Sequence, residues 1–518
     1  VSNKNRRVGL VLKASLFATG CAGIVAEFVL STLATYLLGN AIYQWTIVMS
    51  LMLFAMGIGS RISRYFKRFL LDVFIVVEFV LSLLCAMSAG LAYGLAAHTN
   101  YIGLVIYSQA LLIGCLIGLE LPLATRLNQA YEELRINISG VLEKDYYGAL
   151  VGGLAFALIG LPRLGLTYTP IVLGAINFLV ASVLLWCFLH LVNKKKTLAS
   201  LFVLSLGALI LLGLGAQPIM QYGEQRKYRD KVVYAQQTPF QKIVMTRWKD
   251  YYWLFINGQE QFSTYDEEKY HEPLVHPAMS LARHRKDVLI LGGGDGLALR
   301  EVLKYSDVEN VTLVDIDPAM TQLAKKHAIL QGINQGSLMD PRVQVINQDA
   351  YGFIKNSDGM YGVIVVDLPD PDSVDLMHVY SVNFYQLLRR HLMRGGVMVT
   401  QASSPYFSNK AFLCILKTIR SAGFSTLPYH NQIPTMGEWG WVLGVDARDI
   451  SDQKLKKKLL QTDIRNVETK FINRDALVSM IHFGKGIIDA AVLDAIDINT
   501  EISPVLYHYY LAGNWGVY

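Results

Sequence analysis

Along the first 216 positions apolar residues come in long runs rather than in alternation. Seven stretches, 10–31, 41–60, 70–96, 102–121, 146–162, 168–192 and 198–216, are near the ~20 residues that a helix needs to cross a bilayer. From 220 the texture changes to that of a water-soluble chain. Residues 232–262 alternate in a β manner (KIVMTRW, YYWLFING), and Asn257-Gly258 is a hairpin signal. A helix is expected in YDEEKYHEPLVHPAM. From 287 short apolar strands alternate with helical stretches, which predicts a parallel sheet covered by helices. The predicted strands are 288–291, 311–316, 343–347, 361–367 and 396–401, with helices at 297–305, 318–330, 376–393 and 409–422.

The expected fold is therefore a multi-span α-helical membrane domain over 1–219, followed by an α/β domain. The second part would comprise a small β-unit with its helix (220–286) and a Rossmann-like, methyltransferase-type parallel sheet (287–449). Residues 450–518, ending LYHYYLAGNWGVY, form an extension expected to pack against the helical part or a partner subunit.

Composition agrees with a chain of two halves. It is 53% hydrophobic and 17% charged, against about 25% charged in ordinary soluble proteins. The net charge of +6 lies largely in short basic loops, which is no nucleic-acid signature. Cys21, Cys85, Cys115, Cys187 and Cys414 form no ligand-spaced pair, so neither a disulfide framework nor a metal site is expected. Lys4, Arg6, Arg7 and Lys13, then Arg61, Arg64, Lys67 and Arg68, then Lys194 to Lys196, alternate as cytoplasmic loops should. Seven spans would end outside, yet Arg226, Lys227, Arg229 and Lys231 follow the last one. The 146–162 run, followed by Arg163, is the candidate for a re-entrant segment. Glu27, Glu78 and Glu120 are carboxylates inside apolar runs, which serve either function or packing. Gly57, Gly59, Gly152 and Gly153 suit close helix contacts.

The chemistry concentrates where the strands end. In parallel α/β sheets ligands sit beyond the carboxyl ends of the strands. Here those positions are Gly292 to Asp295 (GGGDG), Asp315 with Asp317, Asp349, Asp367 with Asp370, and Gln401. A dinucleotide loop would not carry Asp295, which repels phosphate. Asp315 is placed for both hydroxyls of a ribose and Asp349 for an adenine amine, so an adenosine bearing a sulfonium fits. Asp367 and Asp370, on a proline-stiffened loop (DLPDP), suit a polycationic amine whose proton a carboxylate can take. Asp295 would hold a second ammonium and disfavour a donor that carries a carboxylate.

GGGDG with LREVLKY, then VDIDP, NQDAYGF, VVDLPDPD and YSVNFYQLL, together resemble the spermidine synthase family of aminopropyltransferases. Upstream, Phe240-Gln241-Lys242 and NGQEQFSTYDEEKYHE resemble its β-unit and its DE-x-x-Y-x-E segment. The resemblance spans about 232–445, and the added helices resemble a membrane-bound bacterial subgroup. It implies decarboxylated S-adenosylmethionine as co-substrate, with no metal, and 5′-methylthioadenosine as product. Gln241, Asp315, Asp349 and Ala350, with the loop glycines Gly292 and Gly294, would hold the nucleoside. Tyr270, His271, Asp295 and Asp370 would line the amine site, with Asp367 the proton acceptor.

Three departures from the family pattern stand out. The acid loop continues Asp370-Pro371-Asp372-Ser373 in place of DP-x-GP. Met436 follows Ile433-Pro434-Thr435 where a tyrosine usually helps enclose the acceptor. Asp315 replaces a glutamate. The function expected is aminopropyl transfer to an amine, putrescine first, by a multi-pass inner-membrane protein with a cytoplasmic catalytic domain. Lipid is the expected environment and a homodimer the favoured assembly. The rivals are a polyamine transporter or sensor that binds without catalysis, and a methyltransferase using the full S-adenosylmethionine.

Overall fold

The long apolar runs become helices because a helix satisfies its own backbone hydrogen bonds without help from water. In the computed structural model they are α1 (Asn3–Leu38), α2 (Ala41–Ser63), α3 (Leu70–Ala96), α4 (Ile102–Asn128), α5 (Leu134–Ala155), α6 (Gly165–Cys187) and α7 (Lys195–Lys227). The structure describes residues 3–38, 41–96, 101–129, 134–462, 464 and 466–515, without the side chains of 3–10, 41, 96, 134 and 135. The side chains of Lys4, Arg6 and Arg7 thus lie outside the described residues. The chain divides into two compact units, Val1–Val232 and Val233–Tyr518. That boundary falls later than 219 because α7 continues past its apolar stretch.

Among the described residues six helical runs are long and apolar enough to cross a membrane. One of them, Ile136–Cys187, has 52 residues, which as a straight helix would measure about 78 Å, over twice the hydrocarbon thickness. It is not straight. A π-helical turn, Phe156–Leu164, leads to Gly165 at φ +61° and ψ −170°, where α5 ends and α6 starts. The run is therefore two helices.

Packing shows which helix ends share an end of the bundle. Asp72, opening α3, accepts from the backbone N–H groups of Asn193 (3.0 Å) and Lys194 (2.8 Å) ahead of α7. Arg126, closing α4, donates to the carbonyls of Ser63 and Phe66 after α2. A cleft of about 290 Å³ joins Leu12, Lys67, Asp72, Leu127, Leu191 and Asn193 at that end. At the other end Tyr36 of α1 donates to Glu224 of α7 at 2.7 Å, and Gly223 lies against Tyr93 of α3. The chain thus leaves the bundle at the end away from Lys67 and Lys194. Gly59 and Gly152 do make backbone-close contacts, with Cys115 and Cys21, while Gly57 faces open space. Glu78 is fully buried, and neither of its oxygens has a hydrogen-bond partner among the described residues.

The second unit begins with a four-stranded sheet, β1 (Lys231–Gln237), β2 (Lys242–Trp248), β3 (Tyr251–Ile256) and β4 (Gln259–Ser263), in sequential order. Asn257 and Gly258 both take positive φ (52° and 86°), the two-residue turn that matches strand twist. Helix α8 (Glu268–Leu281) follows.

A seven-stranded sheet comes next: β5 (Asp287–Gly292), β6 (Asn310–Asp315), β7 (Val343–Asn347), β8 (Tyr361–Asp367), β9 (Leu392–Gln401), β10 (Phe424–Ile433) and β11 (Gly437–Asp446). Their order is β10-β11-β9-β8-β5-β6-β7. The five expected strands are the parallel ones. The antiparallel hairpin β10–β11 was not expected. Pro428 interrupts the β signal of β10 and is tolerated because β10 is the edge strand.

The covering helices are α9 (Leu297–Leu303), α10 (Pro318–Lys326), α11 (Ala328–Ile333), α12 (Ala350–Asn356), α13 (Val382–Arg390) and α14 (Asn409–Ser421). The expected helix 318–330 breaks at His327, whose ψ of 119° is extended. The expected 376–393 splits into a 3-10 turn (Val374–Tyr380) and α13, whose N-terminus the Ser381 hydroxyl caps through Phe384 N–H.

The C-terminal segment makes many contacts with this α/β unit itself, which the sequence did not show. Glu272 accepts from the backbone N–H groups of Lys470, Phe471 and Ile472 at 2.7–2.8 Å. Lys417 donates to the carbonyls of Leu493, Asp494 and Ile496. Asn499, fully buried, donates to the carbonyls of Met377 and Tyr380.

Candidate active site

Neighbouring strands β5 and β8 end together, with Gly292 paired to Asp367. A Cβ on Gly292 would stand 2.0 Å from the Asp367 carbonyl oxygen, and φ is +83° there, so only glycine fits. The turn puts Gly293 N–H on that carbonyl at 3.1 Å. Gly294 N–H then donates to Asp315 Oδ2 at 3.0 Å, and a Cβ on Gly294 would collide with that oxygen. The glycine loop thus delivers Asp295, Asp315 and Asp367 to one place. Asp295 Oδ1 accepts from Leu297 N–H at the start of α9.

Asp315 also accepts from Asp317 N–H through Oδ1. Each of its oxygens keeps a lone pair for a ribose hydroxyl. Asp317 faces away from the pocket. It caps α10 through Ala319 N–H and accepts from Thr238 Oγ1 at 2.8 Å, and Thr238 in turn holds the turn that carries Gln241. Among the described residues nothing hydrogen-bonds the Gln241 side-chain amide, whose backbone N–H and carbonyl meet Thr238 Oγ1. Asp349 caps α12 through Gly352 N–H at 2.6 Å, lies 3.4 Å from His378 Nε2, and is the most exposed of these acids. Ala350 is buried at the first turn of α12.

The side of the pocket expected to take the amine is built from α8, β8 and the loop after it. Tyr270 Oη donates to Asp367 Oδ1 at 2.9 Å. The Asp370 loop is fixed from behind. Gln401 Nε2 donates to the Leu368 carbonyl at 2.9 Å, and Tyr380 Oη donates to the Pro369 carbonyl at 2.8 Å. Asp370 Oδ2 accepts from Tyr510 Oη at 2.9 Å, whereas its buried Oδ1 has no hydrogen-bond partner among the described residues. Gln259 Nε2 donates to Asp372 at 2.9 Å.

His271 is 1% exposed and its Nδ1 meets Glu267 Oε2 at 3.0 Å. Glu267 is gripped by both terminal nitrogens of Arg300, at 2.8 and 2.9 Å. Arg300 Nε reaches Glu301, which also pairs with His276 and Lys304. Sequence reasoning did not anticipate this buried network. Its signal was Arg300-Glu301 on the helix that the glycine loop opens.

These environments set the charges. Burial lifts Asp367 to about 6; nearby Asp295 adds to the rise and His271 opposes it. Burial also lifts Asp315 to about 6, against the backbone N–H groups that it accepts from. Asp370 is lifted by burial to about 7, against the Tyr510 hydrogen bond. Asp295 is raised for the same reason, partly offset by His271. Burial would lower His271, but its hydrogen bond to the Glu267 carboxylate carries it to about 9. The site is thus an acid-rimmed pocket with an imidazolium set behind it, suited to a nucleoside bearing positive charge and to an amine.

That arrangement defines a nucleoside-dependent transferase acting on amines. Residues 267–457 match the family model "Spermine/spermidine synthase domain". The "Polyamine aminopropyltransferase 2" of Aquifex aeolicus is 42% identical, over 97% of this chain and 99% of that protein. The "Polyamine aminopropyltransferase" of Leptospira interrogans is 36% identical, over 96% and 97%. A crystal structure of a spermidine synthase in complex with the transition-state analogue AdoDATO is 26% identical, covering 51% of this chain and 89% of its own, with a TM-score of 0.45. The chain belongs to the polyamine aminopropyltransferase family, and its activity is that of the family. Neither rival reading is favoured.

The raised acids have a consequence for stability. Asp315, Asp367 and Asp370 bind protons more tightly folded than unfolded, so their contribution is lost as pH rises through about 6 to 7. His271 acts in the same direction, its contribution being lost as pH rises toward about 9. Glu267 and Glu301, lowered to about 2, lose theirs only in acid. Without ligand, the melting temperature of the α/β unit should rise from pH 8 to pH 6, and Asp370→Asn should flatten the slope. A melting temperature that falls over that interval would contradict these assignments.

Proposed function

We propose that the enzyme transfers the aminopropyl group of decarboxylated S-adenosylmethionine to a diamine, putrescine giving spermidine, with release of 5′-methylthioadenosine. The observation that carries this reading is the cluster of Asp295, Asp367 and Asp370 beside the ribose-placed Asp315. The relatives, polyamine aminopropyltransferases, and the matched spermine/spermidine synthase family support it. Gln241, Gly292, Gly294, Asp315, Asp349 and Ala350 hold the nucleoside. Asp295, Asp370, Tyr270 and His271 form the aminopropyl and acceptor side, with His271 acting from behind through its charge. The acceptor nitrogen attacks the propyl carbon next to sulfur as the carbon–sulfur bond breaks, and the electron pair leaves on the thioether. Asp367 takes a proton from the acceptor's ammonium so that this nitrogen has a free lone pair for the attack, with Tyr270 fixing the carboxylate's orientation.

Asp367→Asn should cut turnover, followed as methylthioadenosine release, on the order of 10²–10⁴-fold. Nucleoside affinity should stay within a few-fold of the parent. In the parent, kcat/KM for the acceptor should begin to fall below about 7, where Asp370 is protonated, and fall more steeply below about 6, where Asp367 is protonated as well. Undiminished turnover in the variant would remove Asp367 from the role of base.

We further propose that the helical unit is a multi-pass anchor in the cell membrane, supported by the length and apolarity of its helices. Donor supply argues for a catalytic unit on the cytoplasmic face. The basic residues fall at both ends: Lys67, Arg126 and Lys194 gather opposite the exit of α7, whereas Arg226, Lys227, Arg229 and Lys231 follow at that exit, so the positive-inside rule leaves donor supply to decide. Protease applied to the cytoplasmic face of inverted vesicles should digest the α/β unit. An α/β unit left intact from that face would place the site away from its cytosolic donor.

A further inference from the structure

The segment after residue 496 reaches into the site that the preceding sections describe. Asn499 pins it to the loop that ends at Tyr380, and Asn514 N–H donates to the Phe407 carbonyl at 2.8 Å. Between these anchors Tyr510, 6% exposed, donates to Asp370 Oδ2. Trp515 packs on Tyr510 with ring centroids 4.7 Å apart, and its Nε1 donates to the Tyr510 carbonyl at 2.9 Å. From Trp515 the aromatic row continues to Trp439 (6.4 Å) and from there to Tyr270 (6.4 Å), the residue that holds Asp367.

A row of aromatic faces ending at a carboxylate is suited to an alkyl chain with an ammonium at its end. The unpaired buried Oδ1 of Asp370 is the atom that such an ammonium would satisfy.

We propose that residues 499–515 build the acceptor end of the pocket, with Tyr510 as the positioning residue that aims Asp370 at the distal ammonium of the diamine. The inference rests on the aminopropyl-transfer reading. Tyr510 uses Oδ2 and so turns Oδ1 toward the acceptor. Its hydrogen bond also favours the ionised carboxylate, since burial holds Asp370 near 7. Without the phenol, Asp370 would protonate at higher pH and lose its grip on the amine.

The test is Tyr510→Phe, which keeps the ring and its packing. With 1,3-diaminopropane, putrescine and cadaverine as acceptors, the acceptor KM should rise on the order of tenfold, the size of one charge-assisted hydrogen bond. Saturating kcat and the donor KM should stay within about twofold. The pH below which acceptor binding fails should move upward. An unchanged acceptor KM and pH profile would overturn the inference, as would a fall in kcat and donor affinity together. Calorimetric titration of the same diamines into full-length protein saturated with 5′-methylthioadenosine repeats the comparison without turnover. Tight parent binding that weakens in Tyr510→Phe, with no turnover in either, would sink the transfer reading and keep the role of Tyr510. Turnover that ignores Tyr510 would do the reverse, and no diamine binding to the parent would overturn both.

Discussion

Holding several carboxylates out of water in one pocket is the constraint on which the rest of the α/β unit depends. Asp295, Asp315, Asp367 and Asp370 all sit where burial opposes their charge. Such a cluster persists only if something close by offsets it. Backbone N–H groups of the glycine loop serve Asp315, the Tyr270 hydroxyl serves Asp367, and the His271 imidazolium lies behind. The imidazolium is itself maintained by Glu267, and Glu267 by Arg300. What is left over, the raised acids and the Oδ1 of Asp370 without a partner among the described residues, is a demand for cations that the proposed sulfonium donor and diamine would meet.

The same constraint explains the acids that do not touch the ligand. Asp266 accepts from both the N–H and the hydroxyl of Thr435, tying α8 to the β10–β11 hairpin. Glu272, two turns along the same stretch, grips the C-terminal segment. In the DE-x-x-Y-x-E segment, therefore, Asp266 and Glu272 hold neighbouring segments, Glu267 sets a charge, and Tyr270 orients Asp367, the proposed base. One short stretch ties together the hairpin, the tail and that carboxylate.

Much of this was legible in the sequence, and for identifiable reasons. Strands β5 to β9 are short apolar runs with acids at their ends, and the glycine spacing marks the turn between β5 and α9. Asn257-Gly258 announced its hairpin. The hairpin β10–β11 was hidden by Pro428 and by polar residues that an edge strand tolerates. The break at His327 had no residue that forbids a helix. Arg300 reads as a surface charge until Glu267, 33 positions earlier, is seen to meet it. Tyr510 could not be assigned because its partner Asp370 is 140 positions away and no local pattern links them.

The central claim is that the acid rim selects a cationic donor without a carboxylate. Its most direct test is the ratio of dissociation constants for S-adenosylmethionine and its decarboxylated form, measured on the full-length protein and on Asp295→Asn. The account predicts that the parent binds the decarboxylated form at least ~10-fold more tightly and that the variant narrows the gap, since like charges brought together are costly. Equal affinity of the parent for the two forms would contradict it.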